Sequence, residues 1–83
     1  MSGQPFDLDT ALLRARLAMQ EGRMDEGVEE LRRAIFESAK LSPRHGRRQV
    51  EKILSFATDN DVFNEVEETL HDEPLKKYLF GEE

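Results

Sequence analysis

Met24-Asp25-Glu26-Gly27-Val28-Glu29-Glu30-Leu31-Arg32-Arg33-Ala34-Ile35 is the stretch whose reading decides the fold. Met24, Val28, Leu31, Ala34 and Ile35, continued by Ala39, recur at the spacing that lines one face of an α-helix, and Gly27 falls on the same face. Asp25 and Glu26 sit where a helix begins, so their carboxylates meet unpaired amides and the positive end of the helix dipole. Glycine inside a helix costs about 1 kcal/mol relative to alanine. Close approach of a neighbouring helix accounts for Gly27, and on that reading Gly27→Ala is mild or even stabilising. Phe36 points away from the stripe and needs a separate site, in a later helix or in a partner.

Immediately upstream, Glu21-Gly22-Arg23 breaks the periodicity, with Gly22 suited to a left-handed helix C-terminus. Before it, Leu8, Ala11, Leu12, Ala15, Ala18 and Met19 share one arc of a helix running to about Gln20. Asp7 and Asp9 compete as its N-cap, and a cap at Asp9 sets Leu8 and Leu13 as a hydrophobic staple. Leu13 and Leu17 lie on the opposite side. A helix apolar on two sides is either sandwiched between neighbours or takes part in an interface, and the sandwiched reading is preferred. The two arms form a hairpin over residues 9–41.

These residues resemble a tetratricopeptide repeat, an antiparallel helix pair of about 34 residues whose small side chains let the arms pack closely. Ala15 stands at the small position of the family's first helix and Ala18 at its next packing position. Gly22 falls at the turn glycine, Gly27 at the small residue of the second helix, Leu31 at the large apolar position and Ala34 at the final small one. Asp25-Glu26 resembles the acidic pair common after the turn. Ala11 stands where a large aromatic is usual and Arg14 where leucine is usual, while Pro43 comes four residues later than the family's closing proline. The resemblance implies a repeat scaffold with a groove lined by Leu12, Arg16 and Met19.

Downstream, Ser42-Pro43 places a serine N-cap before a proline at the first helical position. Gly46 is expected to delay regular helix by a few residues. Val50, Ile53, Leu54 and Ala57 form a third stripe with Phe56 beside it, and Thr58-Asp59-Asn60-Asp61 is the turn and cap cluster. Val62, Phe63, Val66 and Leu70 predict a fourth helix that completes a second hairpin over 43–71. Val66 and Glu73 occupy its small-residue positions, so the repeat match fails there. A last short helix is expected over 73–80, with Leu75, Tyr78 and Leu79 on one side. The fold class expected is all-α: one domain of four antiparallel helices plus a short C-terminal helix. Residues 1–6 are expected to be a tail.

At 83 residues the chain buries only about 60–65% of the surface its unfolded form exposes, so self-association would help it. Without cysteine it has no disulfide, thiolate nucleophile or cysteine-ligated metal. No apolar run reaches the roughly 18 residues of a membrane span, and Met1-Ser2-Gly3-Gln4-Pro5 lacks the features of a signal peptide, so a cytoplasmic protein is expected. The net charge of −6 is uneven. Residues 1–58 hold 10 Lys+Arg and 9 Asp+Glu, whereas 59–83 hold 2 and 9. An acidic end biases how a basic partner approaches and argues against general nucleic-acid binding there.

No catalytic constellation emerges. Ser38, Ser42 and Ser55 lack a nucleophile motif, His45 and His71 lack partners at metal-ligand spacing, and the paired carboxylates lie on polar helix faces. Asp59-Asn60-Asp61 with Glu65, Glu67 and Glu68 is read as an acidic cap, because Phe63-Asn64 stands where a calcium loop needs an oxygen ligand and then glycine. Arg44, Arg47, Arg48 and Lys52 make the basic cluster, with no acid between Leu41 and Val50. They are candidates for anion binding, but no aromatic is interleaved for base stacking, and a solvated face or an anchor for carboxylates is preferred. The reading is a non-enzymatic protein-interaction module or small adaptor, without cofactor, whose partner is another protein or a second copy. Leu13, Leu17 and Phe36 form its candidate apolar strip. The alternative is a small regulator of a nucleic-acid machine, acting through the 44–52 cluster or through its acidic end as a decoy.

Overall fold

Gly22 and Ser42-Pro43 cut the chain where their chemistry requires. A computed structural model describes residues 7–72 and 75–77, and among these residues there is no strand. Helix α1 spans Leu8–Gln20, α2 Met24–Ser38, α3 Pro43–Asp59 and α4 Phe63–Glu67. A 3-10 turn, Glu68–His71, follows α4, and residues 75–77 are helical again. Asp72 caps that last piece: its carboxylate accepts from the Leu75 amide at 3.1 Å, and its carbonyl from the Lys76 amide at 2.8 Å. The expected tail, Met1 to Phe6, and Tyr78 and Leu79 lie outside the described residues.

The α1–α2 turn is a Schellman motif. Gly22 adopts φ 83°, the Arg23 amide donates to the Ala18 carbonyl at 2.8 Å, and the Gly22 amide donates to Met19 at 3.0 Å. Asp7, not Asp9, occupies the N-cap position of α1, and Leu8 is buried in the core. The Leu8–Leu13 staple therefore does not form. Across the hairpin, Ala15, Leu31 and Ala34 are buried with Gly27. A Cβ on Gly27 would lie 2.6 Å from Met19 Cγ, 2.9 Å from Met19 Cε and 3.2 Å from the Ala15 carbonyl oxygen. The missing side chain is what lets the two helices meet.

Helix α3 begins at Pro43, with the Ser42 hydroxyl accepting from the His45 amide at 3.4 Å and lying 2.8 Å from His45 Nδ1. Gly46 does not delay it. This residue is buried inside the first turns, and its amide donates to the Ser42 carbonyl at 2.8 Å. Val50, Ile53 and Ala57 pack with Ile35 of α2 in one core. Among them lies a polar pin: fully buried Ser38 donates from Oγ to Gln49 Oε1 at 3.0 Å. A hydroxyl buried this deeply needs such a partner, and half-buried Gln49 supplies it.

The α3–α4 turn repeats the first. Asp61 takes φ 62°, its amide donates to Thr58 at 3.2 Å, and the Val62 amide donates to Ala57 at 2.9 Å. Adding 39 to a residue number of the first hairpin finds its counterpart in the second, so Ala18, Gly22 and Arg23 become Ala57, Asp61 and Val62. The fourth helix is shorter than expected. Only Phe63–Glu67 is α-helical, Val66 is its one buried residue and Phe63 is exposed. The pattern Glu65, Glu67, Glu68 gives the arm little apolar face to hold it, and the chain tightens into the 3-10 turn.

Candidate interaction surfaces

Leu13 is 51% exposed, Leu17 47% and Phe36 48%. The core closes without them, which overturns the sandwiched reading of α1. They do not form one strip. Leu17 lies in a groove between α1 and α2 with Arg14, Glu26 and Glu29, whereas Phe36 lies in a second depression with Arg32, Glu68 and Asp72. Met24 and Phe63 are also exposed, and their helical spacing had placed both on core faces. Each sits at the start of a helix just beyond a Schellman turn, where no following turn covers it.

Leu12 and Met19 are half-buried and pack against the core, and Met19 is the side chain that fills the space beside Gly27. Of the groove residues expected from the repeat resemblance, Arg16 alone is exposed. Arg44, Arg48 and Lys52, four residues apart, share one side of α3, where Glu51 also lies. Among the described residues none of these three cations forms an ion pair. Arg47 projects from a neighbouring side of the helix.

Arg32 is a bracing arginine that periodicity does not reveal. Its Nε and Nη2 donate to the Glu65 carbonyl at 3.3 and 3.1 Å, and Nη2 lies 3.6 Å from Glu68 Oε1. A planar fork suits that double contact, and it ties α2 to α4. The signal that could have found it is the 39-residue offset, which pairs Glu65 and Glu68 with Glu26 and Glu29. Beside it, Thr69 Oγ1 is buried without a hydrogen-bond partner among the described residues.

Among the described residues no group of three or more His, Asp or Glu could hold a metal ion. The Asp59–Asp61 segment closes α3 instead: Asn60 Nδ2 donates to the Phe56 carbonyl at 2.9 Å and Thr58 Oγ1 to Leu54 at 2.9 Å. No helix among the described residues is long and apolar enough to cross a membrane. No family model, curated protein or solved structure matches the chain.

Proposed function

We propose that the chain is a non-enzymatic protein-interaction module, a small helical adaptor or regulator that works by binding another protein or a second copy. One observation carries this reading: Leu13, Leu17 and Phe36 stay about half exposed beside a core that is complete without them. Leu13 and Leu17 stand one turn apart on the same side of α1, and neighbouring large apolar side chains outside a closed core mark interaction sites more often than isolated ones do. A tetratricopeptide-like ancestry belongs to the same proposal, supported by Gly27 against Ala15 and Met19 and by the turn at Gly22.

The test is a variant with Leu13, Leu17 and Phe36 all changed to glutamate, used as bait beside the wild-type chain in extracts of the source cell. The variant keeps the helical circular dichroism signal and loses the protein partner, or loses self-association in sedimentation equilibrium. A variant that unfolds, or that keeps every partner, overturns the reading.

A second reading rests on the Arg44–Arg48–Lys52 side of α3. Three cations on one helical side, without ion-pair partners among the described residues, can bind a phosphate backbone, as in a regulator of a nucleic-acid machine. Salt separates the two readings, because phosphate binding falls steeply with salt and apolar docking does not.

A further inference from the structure

The second hairpin contains a worked example of what the first hairpin leaves open. The hydrogen bonds at its turn reproduce those of the first, 39 residues on. Glu21 and Asn60 donate in the same forked way, to Leu17 and Ala18 and to Phe56 and Ala57, and Gly27→Arg23 matches Val66→Val62. On that register the groove residues Arg14, Leu17, Glu26 and Glu29 correspond to Ile53, Phe56, Glu65 and Glu68. In the second hairpin this surface is occupied by α2. Arg32 holds the Glu65 carbonyl and the Glu68 carboxylate, Ser38 holds Gln49, and Ile35 lies between them on the same face. Ile53 is fully buried there and Phe56 partly so. In the first hairpin, Arg14 and Leu17 face solvent.

We propose that the α1–α2 groove receives one amphipathic helix of a different protein, docked as α2 docks on the second hairpin. That helix carries an arginine or lysine for the Glu29 carboxylate, which Arg32 of its own chain approaches at 3.8 Å, and an aliphatic side chain three residues later for Leu17. The charge agrees. Glu21, Asp25, Glu26, Glu29 and Glu30 line the groove against Arg14, Arg23 and Arg33, an excess of two acids. A second copy does not fit as the occupant. The Arg32–Ile35 segment that would have to enter the groove is already engaged with α3 and α4 of its own chain. Arg14 stands where Ile53 does in the second hairpin, so the partner helix also offers it an acid or a carbonyl.

This inference rests on the interaction reading, and its test separates the two. A phage-displayed library of amphipathic helices is selected on the full chain, and the enriched helices are synthesised and titrated. The expected consensus is Arg or Lys three residues before an aliphatic. Affinity falls by at least about tenfold on Leu17→Asp and on Glu29→Lys, exposed positions whose variants fold, and is unchanged on Phe36→Glu. No binder, a consensus lacking the cation, or indifference to both groove variants overturns the groove proposal. So does self-association of the chain that Leu17→Asp abolishes, which makes a second copy the occupant. Helices that bind only at Phe36 also overturn it while leaving the interaction reading standing.

Discussion

Alanine at position 27 sets helix propensity against packing, and the geometry decides between them. Propensity alone favours Gly27→Ala by about 1 kcal/mol. The new Cβ, however, would meet Met19 Cγ at 2.6 Å and the Ala15 carbonyl oxygen at 3.2 Å. Met19 Cε is the end of a flexible chain and can swing aside, but Cγ moves only if χ1 changes or the helices separate. Overpacking of this kind costs about 1–3 kcal/mol. The balance is a loss of about 1 kcal/mol for alanine, and of about 3 kcal/mol for leucine, whose remaining atoms have no space at the crossing. Equilibrium urea denaturation followed at 222 nm measures both. Combining Gly27→Ala with Met19→Ala recovers part of the loss, because the double variant removes the obstructing Cγ. An alanine variant more stable than wild type by the full propensity term would refute the close-packed crossing.

Asp61 holds a left-handed conformation that favours glycine, so Asp61→Gly raises stability by about 0.5–1 kcal/mol, whereas Gly22→Ala lowers it by about 1 kcal/mol; thermal midpoints check both. Arg32→Lys keeps the charge but loses the fork on the Glu65 carbonyl, and costs about as much as Arg32→Ala, about 1 kcal/mol in urea titrations. Thr69→Val removes a buried hydroxyl with no partner among the described residues and leaves stability unchanged or higher by about 1 kcal/mol; a lower thermal midpoint would show that Oγ1 is in fact satisfied.

Much of the helical scaffold is legible in the sequence because it depends on local chemistry. Gly22 and Ser42-Pro43 act within one turn of themselves, and the stripes of α1 to α3 need only the 3.6-residue period. What periodicity cannot decide is which apolar face receives a neighbour. Leu13 and Leu17 are as apolar as Leu12, yet only Leu12 packs against the core. Met24 and Phe63 fit their stripes but lie at helix starts with nothing packed over them. The brevity of α4 was hidden for a related reason: Val62, Val66 and Leu70 have helical spacing, but only Val62 and Val66 are buried. Of the candidate sites, Leu13, Leu17 and Phe36 were legible as residues off the main stripes, but whether a neighbour covers them was not, and the sandwiched reading preferred for α1 is the one the exposures overturn. That Leu17 and Phe36 fall in two separate depressions depends on where α4 and the 3-10 turn lie, which is long-range information. The Leu12–Arg16–Met19 groove came from the repeat resemblance, and Met19 is instead taken up by the space beside Gly27.

The central claim is that this chain works through the apolar residues its own core leaves uncovered. Photo-crosslinking in the source cell tests it most directly, with benzoylphenylalanine placed singly at Leu17, at Phe36 and at Arg48. The account predicts a discrete protein adduct from position 17 or 36 that persists at high salt, with none from position 48. Adducts confined to position 48 and lost at high salt, or no protein adduct from the two apolar positions, would contradict it.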